Sequence, residues 1–76
     1  MPDFPEVSQA RLARALSRLG LTVDKKKGKG GHYKVFASNG KWTLIPPKLK
    51  AKGTRCAIAK FLIEQGIDFD TFLKDL

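Results

Sequence analysis

The feature that most restricts the fold of this chain is Ser38-Asn39-Gly40, a short turn set between two alternating stretches. Asn and Gly tolerate the left-handed backbone that a tight reversal needs, so the pair marks a β-hairpin. Before it, His32 to Ala37 alternates, with His32, Lys34 and Phe36 on one face and Tyr33, Val35 and Ala37 on the other. After it, Lys41 to Ile45 returns as a strand, and Pro46-Pro47 ends that strand by removing backbone donors. A hairpin is marginal in water unless something covers one of its faces.

Helical patterns on both sides supply the cover. Val7 to Leu19 reads as a helix, with Ser8 as N-cap, Leu12, Leu16 and Leu19 at helical spacing, and Gly20 as its stop. Arg11, Arg14 and Arg18 lie beside that stripe on a solvated flank. Leu21-Thr22-Val23 begins a further short strand. Thr54 is placed to cap a second helix reaching about Gln65, with Ile58, Phe61 and Leu62 inward and Gly66 ending it. Asp68 or Asp70 can cap a last short helix bearing Phe69, Phe72, Leu73 and Leu76. The expected fold is α+β: an α-β-β-β-α sandwich, two helices on one face of a three-stranded antiparallel sheet, plus a short C-terminal helix. The double-stranded-RNA-binding domain has this order of elements.

The 76 residues make a single domain, 1–76. A chain so short buries only about 60–65% of its unfolded surface, so chemistry belongs on a surface or shallow groove. One cysteine, Cys56, and one histidine exclude an intrachain disulfide and a Cys/His zinc site, and no metal or other cofactor is expected. Cys56 reads as a packing residue of an apolar helix. The start, Met1 to Glu6, lacks the pattern of a signal peptide, and no apolar run approaches the ~20 residues that span a bilayer. A cytoplasmic protein with no membrane partner is the simplest expectation.

Charge is segregated. The net value is +8, yet residues 1–24 are balanced and residues 64–76 are net acidic. Residues 25–63 carry eleven lysines and arginines and no acid at all. Such self-repulsion costs stability that a polyanion would offset, and nucleic acid, above all RNA, is the expected partner. The glycine-rich run Lys25 to Gly31 is unsuited to a membrane-surface helix, but there the backbone can approach a phosphate. Gly28-Lys29-Gly30-Gly31 is not a P-loop, because no strand–GxxxxGK[ST]–helix arrangement surrounds it.

His32 follows that run directly and shares a strand face with Lys34. Two readings of it stand side by side: a surface or phosphate-contacting histidine, and a catalyst of RNA cleavage. In the second, its imidazole takes the proton of a ribose 2′-hydroxyl attacking the adjacent phosphate, or protonates the leaving 5′-oxygen. Nearby lysines would then stabilise the charge on the transition state. Lys27, Lys29, Gly30, Gly31, Lys34, Lys50 and Lys52 are the expected RNA contacts. Phe36, on the His32 face, is the better candidate for base stacking; Trp42 could also stack a base but is expected in the core or at its rim.

Leu19-Gly20-Leu21, followed by Lys27-Gly28-Lys29-Gly30-Gly31-His32-Tyr33-Lys34-Val35-Phe36, resembles the HicA-type (YcfA-like) mRNA interferase toxins. Leu44-Ile45-Pro46-Pro47 is similar to the proline-ended strand of that family. Leu49-Lys50-Ala51-Lys52-Gly53-Thr54 is similar to its basic lead into the second helix, and Gln65-Gly66-Ile67 with Phe72-Leu73 to its closing segment. The resemblance covers roughly residues 7–76. It implies a double-stranded-RNA-binding-like fold, metal-independent and ribosome-independent endoribonuclease cleavage of mRNA, and a HicB-type antitoxin partner that blocks the site. It further implies that His32 is the catalytic residue. Gly31 stands where that family usually has Ser, and Tyr33 where a second His is common. A non-catalytic RNA-binding module of the same fold is the alternative function.

Overall fold

The computed structural model describes residues 2–26 and 30–76. Among these residues the chain forms, in order, α1 (Gln9–Arg18), β1 (Thr22–Asp24), β2 (Tyr33–Phe36), β3 (Trp42–Ile45), α2 (Lys52–Glu64) and α3 (Phe69–Asp75). The three strands make one antiparallel sheet with β2 in the middle. α1 packs against β1, α2 against β3, and α3 touches both long helices. The expected α+β layout is therefore observed as a helix, three antiparallel strands and two further helices.

Local signals account for most boundaries. Ser8 caps α1, its hydroxyl accepting the Arg11 backbone N–H at 3.1 Å, so the helix begins at Gln9 rather than Val7. The two long helices end in the same way. Gly20 (φ +92°) and Gly66 (φ +80°) adopt the left-handed conformation, and the following Leu21 and Ile67 donate back to Leu16 and Leu62. The hairpin turn closes as expected, with Gly40 left-handed at φ +87° and the Asn39 carboxamide oxygen accepting the Lys41 N–H.

The expected start of α2 is corrected. Thr54 does not cap it; the helix begins at Lys52, and Ala51 at the cap offers no side-chain hydrogen bond. The cause lies outside the local sequence. Leu49 is buried, which anchors the lead-in, and the Arg55 guanidinium reaches back to the carbonyls of Leu49 (2.8 Å) and Lys50 (2.6 Å). The same guanidinium donates to both carboxylate oxygens of Asp3, at 2.8 and 3.3 Å. That pairing holds the Asp3 carboxyl below its ordinary pKa. Arg55, one of the eleven cations of the basic stretch, is thereby committed to the fold. At α3, Asp68 occupies the cap position, but its carboxylate accepts the Thr71 hydroxyl (2.8 Å) rather than a backbone N–H.

The core lies between the helices and one face of the sheet. Leu12 and Leu16 of α1, Val35 and Ile45 of the sheet, Ile58 and Leu62 of α2, and Phe72 of α3 are all buried there. Phe4, preceding α1, is buried as well and meets Phe72 edge-on at 5.3 Å. Cys56 is buried, as a packing residue should be.

Candidate functional site

The single histidine stands at the end of the sheet where β2 begins and β3 stops. Gly30 and Gly31 form a consecutive left-handed pair, at φ +62° and +82°. Only glycine adopts such a pair without strain, so the backbone can turn sharply into β2. At Gly31 a β-carbon would also stand 3.2 Å from Cγ of Pro47, which ties the turn to the segment leaving β3. From α1, the Gln9 side-chain amide donates to the carbonyls of Gly31 (2.7 Å) and Ile45 (3.0 Å). One side chain thus fixes both chain segments that border the site. Gln9 carries no local signal of this role, since its partners lie 22 and 36 residues away.

His32 sits between this glycine pair and β2, and it is half-buried. Its Nδ1 is shielded from solvent and has no hydrogen-bond partner among the described residues. A β-carbon at Gly30 would lie 4.0 Å from that nitrogen, so the ring leans over the glycine pair. A buried, unpartnered ring nitrogen costs free energy, and such groups are uncommon unless they serve a purpose.

The strand alternation expected for β2 is observed. Val35 and Ala37 are buried and Tyr33 packs against the core, with the Lys25 ammonium 5.8 Å from the centre of the Tyr33 ring. Lys34 and Phe36 point to the face that no helix covers. Continuing the alternation back one residue puts His32 on that side too. The register builds two rows across this face: Thr22, Phe36 and Trp42, then Asp24, Lys34 and Leu44.

Trp42 departs from its expected place. It is 52% exposed on the open face and belongs to neither the core nor its rim. The reason is pairing: Trp42 and Leu44 alternate with Ile45, which turns inward to the core. Phe36, the expected stacking residue, is half-buried beside it as its cross-strand partner. The Lys34 ammonium lies 4.1 Å from the centre of the Trp42 ring and 5.3 Å from that of Phe36. Lys34 therefore serves the aromatic pair rather than reaching toward His32.

Of the other expected contacts, Lys50 and Lys52 are exposed on the lead into α2, beyond Pro47. The first turn of α2 contains no acid and no side-chain cap, so lysines stand at its positive end. Lys27 and Lys29 lie outside the described residues. Among the described residues, no three His, Cys, Asp or Glu side chains gather as a metal-binding group, and no helix is long and apolar enough to cross a membrane.

Among the described residues, the arrangement sets one imidazole beside a left-handed glycine pair, with exposed lysines on the lead into α2. No protein-family model, curated protein or solved structure matches the chain.

Proposed function

We propose that this chain is an endoribonuclease of the HicA type, a toxin of a type II toxin–antitoxin pair with a double-stranded-RNA-binding-like fold. The observation that carries the reading is His32: the chain's only imidazole, half-buried with no partner for its Nδ1 among the described residues, beside a left-handed glycine pair at the edge of an acid-free basic segment. The α-β-β-β-α order and the sequence resemblance support it.

The chemistry needs no metal. The ribose 2′-oxygen attacks the adjacent phosphorus, and the bond to the 5′-oxygen of the next nucleotide breaks. A 2′,3′-cyclic phosphate and a free 5′-hydroxyl result. His32 removes the 2′-hydroxyl proton or supplies the proton to the leaving oxygen. Lys50 and Lys52, with Lys27 and Lys29 of the glycine-rich run, hold the flanking phosphates, and Gly30 and Gly31 let the backbone come close. A HicB-type antitoxin neutralises the enzyme by covering this end of the sheet. The setting is the cytoplasm.

Induced expression in a bacterial host tests the reading. Wild type arrests growth and depletes bulk mRNA, His32→Ala does neither, and co-expression of an adjacent HicB-like reading frame restores growth. Equal arrest by both forms, or by neither, overturns it. The alternative function, RNA binding without cleavage, is favoured by one observation, the aromatic pair on the open face. It predicts RNA affinity that falls about 10²-fold or more between low and moderate salt, with no cleavage products.

A further inference from the structure

The open face of the sheet is unusual for so small a protein. Helices cover one side of the sheet, while the other displays Trp42 and Leu44 to solvent, with Phe36 and Lys34 half-buried beside them. A tryptophan this exposed, with Leu44 beside it, marks an interaction surface rather than an unavoidable leftover. Trp42 and Phe36 are directly opposed on neighbouring strands. Their β-carbons are therefore about 5 Å apart, which sets two flat rings side by side. The Lys34 ammonium is held against both rings, so a cation and two π-faces occupy one patch.

We infer that this face is a stacking platform for unpaired nucleobases, and that the RNA this protein engages is single-stranded; the inference rests on the RNA reading above. Three features choose this occupant. Base faces in a duplex are hidden within the stack, so exposed rings can reach only splayed, unpaired bases. Each base stacked on an aromatic side chain brings a phosphate with it, and a base that takes the ring face displaces the Lys34 ammonium now over it, freeing that cation to meet the phosphate. The surrounding stretch from 25 to 63 has no acid to repel a polyanion, and the one acid on the face, Asp24, accepts the Lys26 backbone N–H at 2.9 Å.

The platform also has a fixed relation to the histidine. Four residues along β2 separate His32 from Phe36, a rise of about 13 Å. A single strand laid along β2 can seat a base at Phe36 and Trp42 while a phosphate a few nucleotides away reaches His32. The platform then selects unpaired RNA and sets which linkage is presented for cleavage.

Trp42 is the chain's only tryptophan, so its fluorescence reports on the platform alone. The test titrates the protein with a short 2′-O-methyl oligonucleotide, which cannot be cleaved, first single-stranded and then annealed to its complement. The single strand should quench Trp42 saturably and bind more tightly than the duplex. Trp42→Ala should weaken single-strand binding by about 10-fold, the size of one lost stack, with Trp42→Phe restoring much of it and duplex binding little changed. Lys34→Met should lower the salt slope of single-strand binding by about 1. Trp42 and Lys34 lie outside the buried core, and an unchanged circular dichroism spectrum verifies each fold. Equal binding of both forms with unmoved Trp42 fluorescence overturns the platform and leaves the RNA reading standing. Failure of both forms to bind overturns both readings.

Discussion

Placing a β-carbon at Gly31 tests whether the turn into His32 is built as described. Gly31 has φ +82°, and a β-carbon there would approach Pro47 Cγ to 3.2 Å. The left-handed backbone alone costs a residue with a side chain roughly 1–2 kcal/mol. Pushing Pro47 aside adds about 1 kcal/mol, at the low end of overpacking penalties. The backbone shift also strains the Gln9 hydrogen bond to the Gly31 carbonyl. Gly31→Ala should therefore destabilise by about 2 kcal/mol, and Gly31→Ser by a similar amount, although Ser is the residue the HicA-type resemblance suggests there.

Gly30 is the internal control. Its φ of +62° carries the same backbone cost, but a β-carbon there meets only His32 Nδ1 at 4.0 Å, an ordinary contact. Gly30→Ala should cost about 1 kcal/mol. For a domain this size the two differ by roughly 4–8 °C in thermal midpoint, readily resolved by circular dichroism or by urea unfolding at fixed slope. Equal losses at the two glycines, or a loss below about 0.5 kcal/mol at Gly31, would refute the close Pro47 contact and the left-handed assignment on which the estimate rests.

Further outcomes follow from other contacts. Gln9→Ala leaves the Gly31 and Ile45 carbonyls without their shared donor and should cost about 1–2 kcal/mol in urea unfolding, with Gln9→Glu no better because a carboxylate cannot donate. Leu49→Ala, at a buried site between the basic residues of the α2 lead-in, should cost about 2–4 kcal/mol, and a loss under 1 kcal/mol would deny that Leu49 anchors that segment. Because pairing with Arg55 lowers the Asp3 pKa in the folded state, its stabilisation is complete above the unfolded value of about 3.9 and is lost as pH falls through the depressed folded value. Thermal midpoints of Asp3→Asn should accordingly fall below wild type at neutral pH and converge with it toward pH 2 to 3; a constant gap across that range would contradict the pairing.

Signals that act within one turn of chain could be read directly. The glycine stops at Gly20 and Gly66, the Ser8 cap and the Asn39-Gly40 reversal depend on their immediate neighbours, and each is found where the pattern placed it. What escaped depends on distant partners. Phe4 and Leu49 are isolated apolar residues among prolines, charges and lysines, so no periodicity announces their burial. Thr54 looks like a cap, but Arg55 and Leu49 draw the helix start back to Lys52, and Asp3 holds Arg55 from 52 residues away. At the candidate site, the sequence order of the glycine pair, His32 and Lys34 was legible, whereas the Gln9 bridge was not. Trp42 was within reach: alternation back from Ile45, inward at the end of β3, puts Trp42 and Leu44 on the open face.

In the proposed function, the basic segment holds RNA and His32 cuts it. The most direct measurement follows binding and cleavage of one labelled mRNA transcript by wild type and His32→Gln in the presence of EDTA. Wild type should cleave under these conditions, a 2′-deoxy nucleotide at the cut position should block cleavage, and His32→Gln should bind about as tightly as wild type but cleave at least about 10²-fold more slowly. Undiminished cleavage by His32→Gln, or cleavage by wild type that vanishes with EDTA, would contradict it.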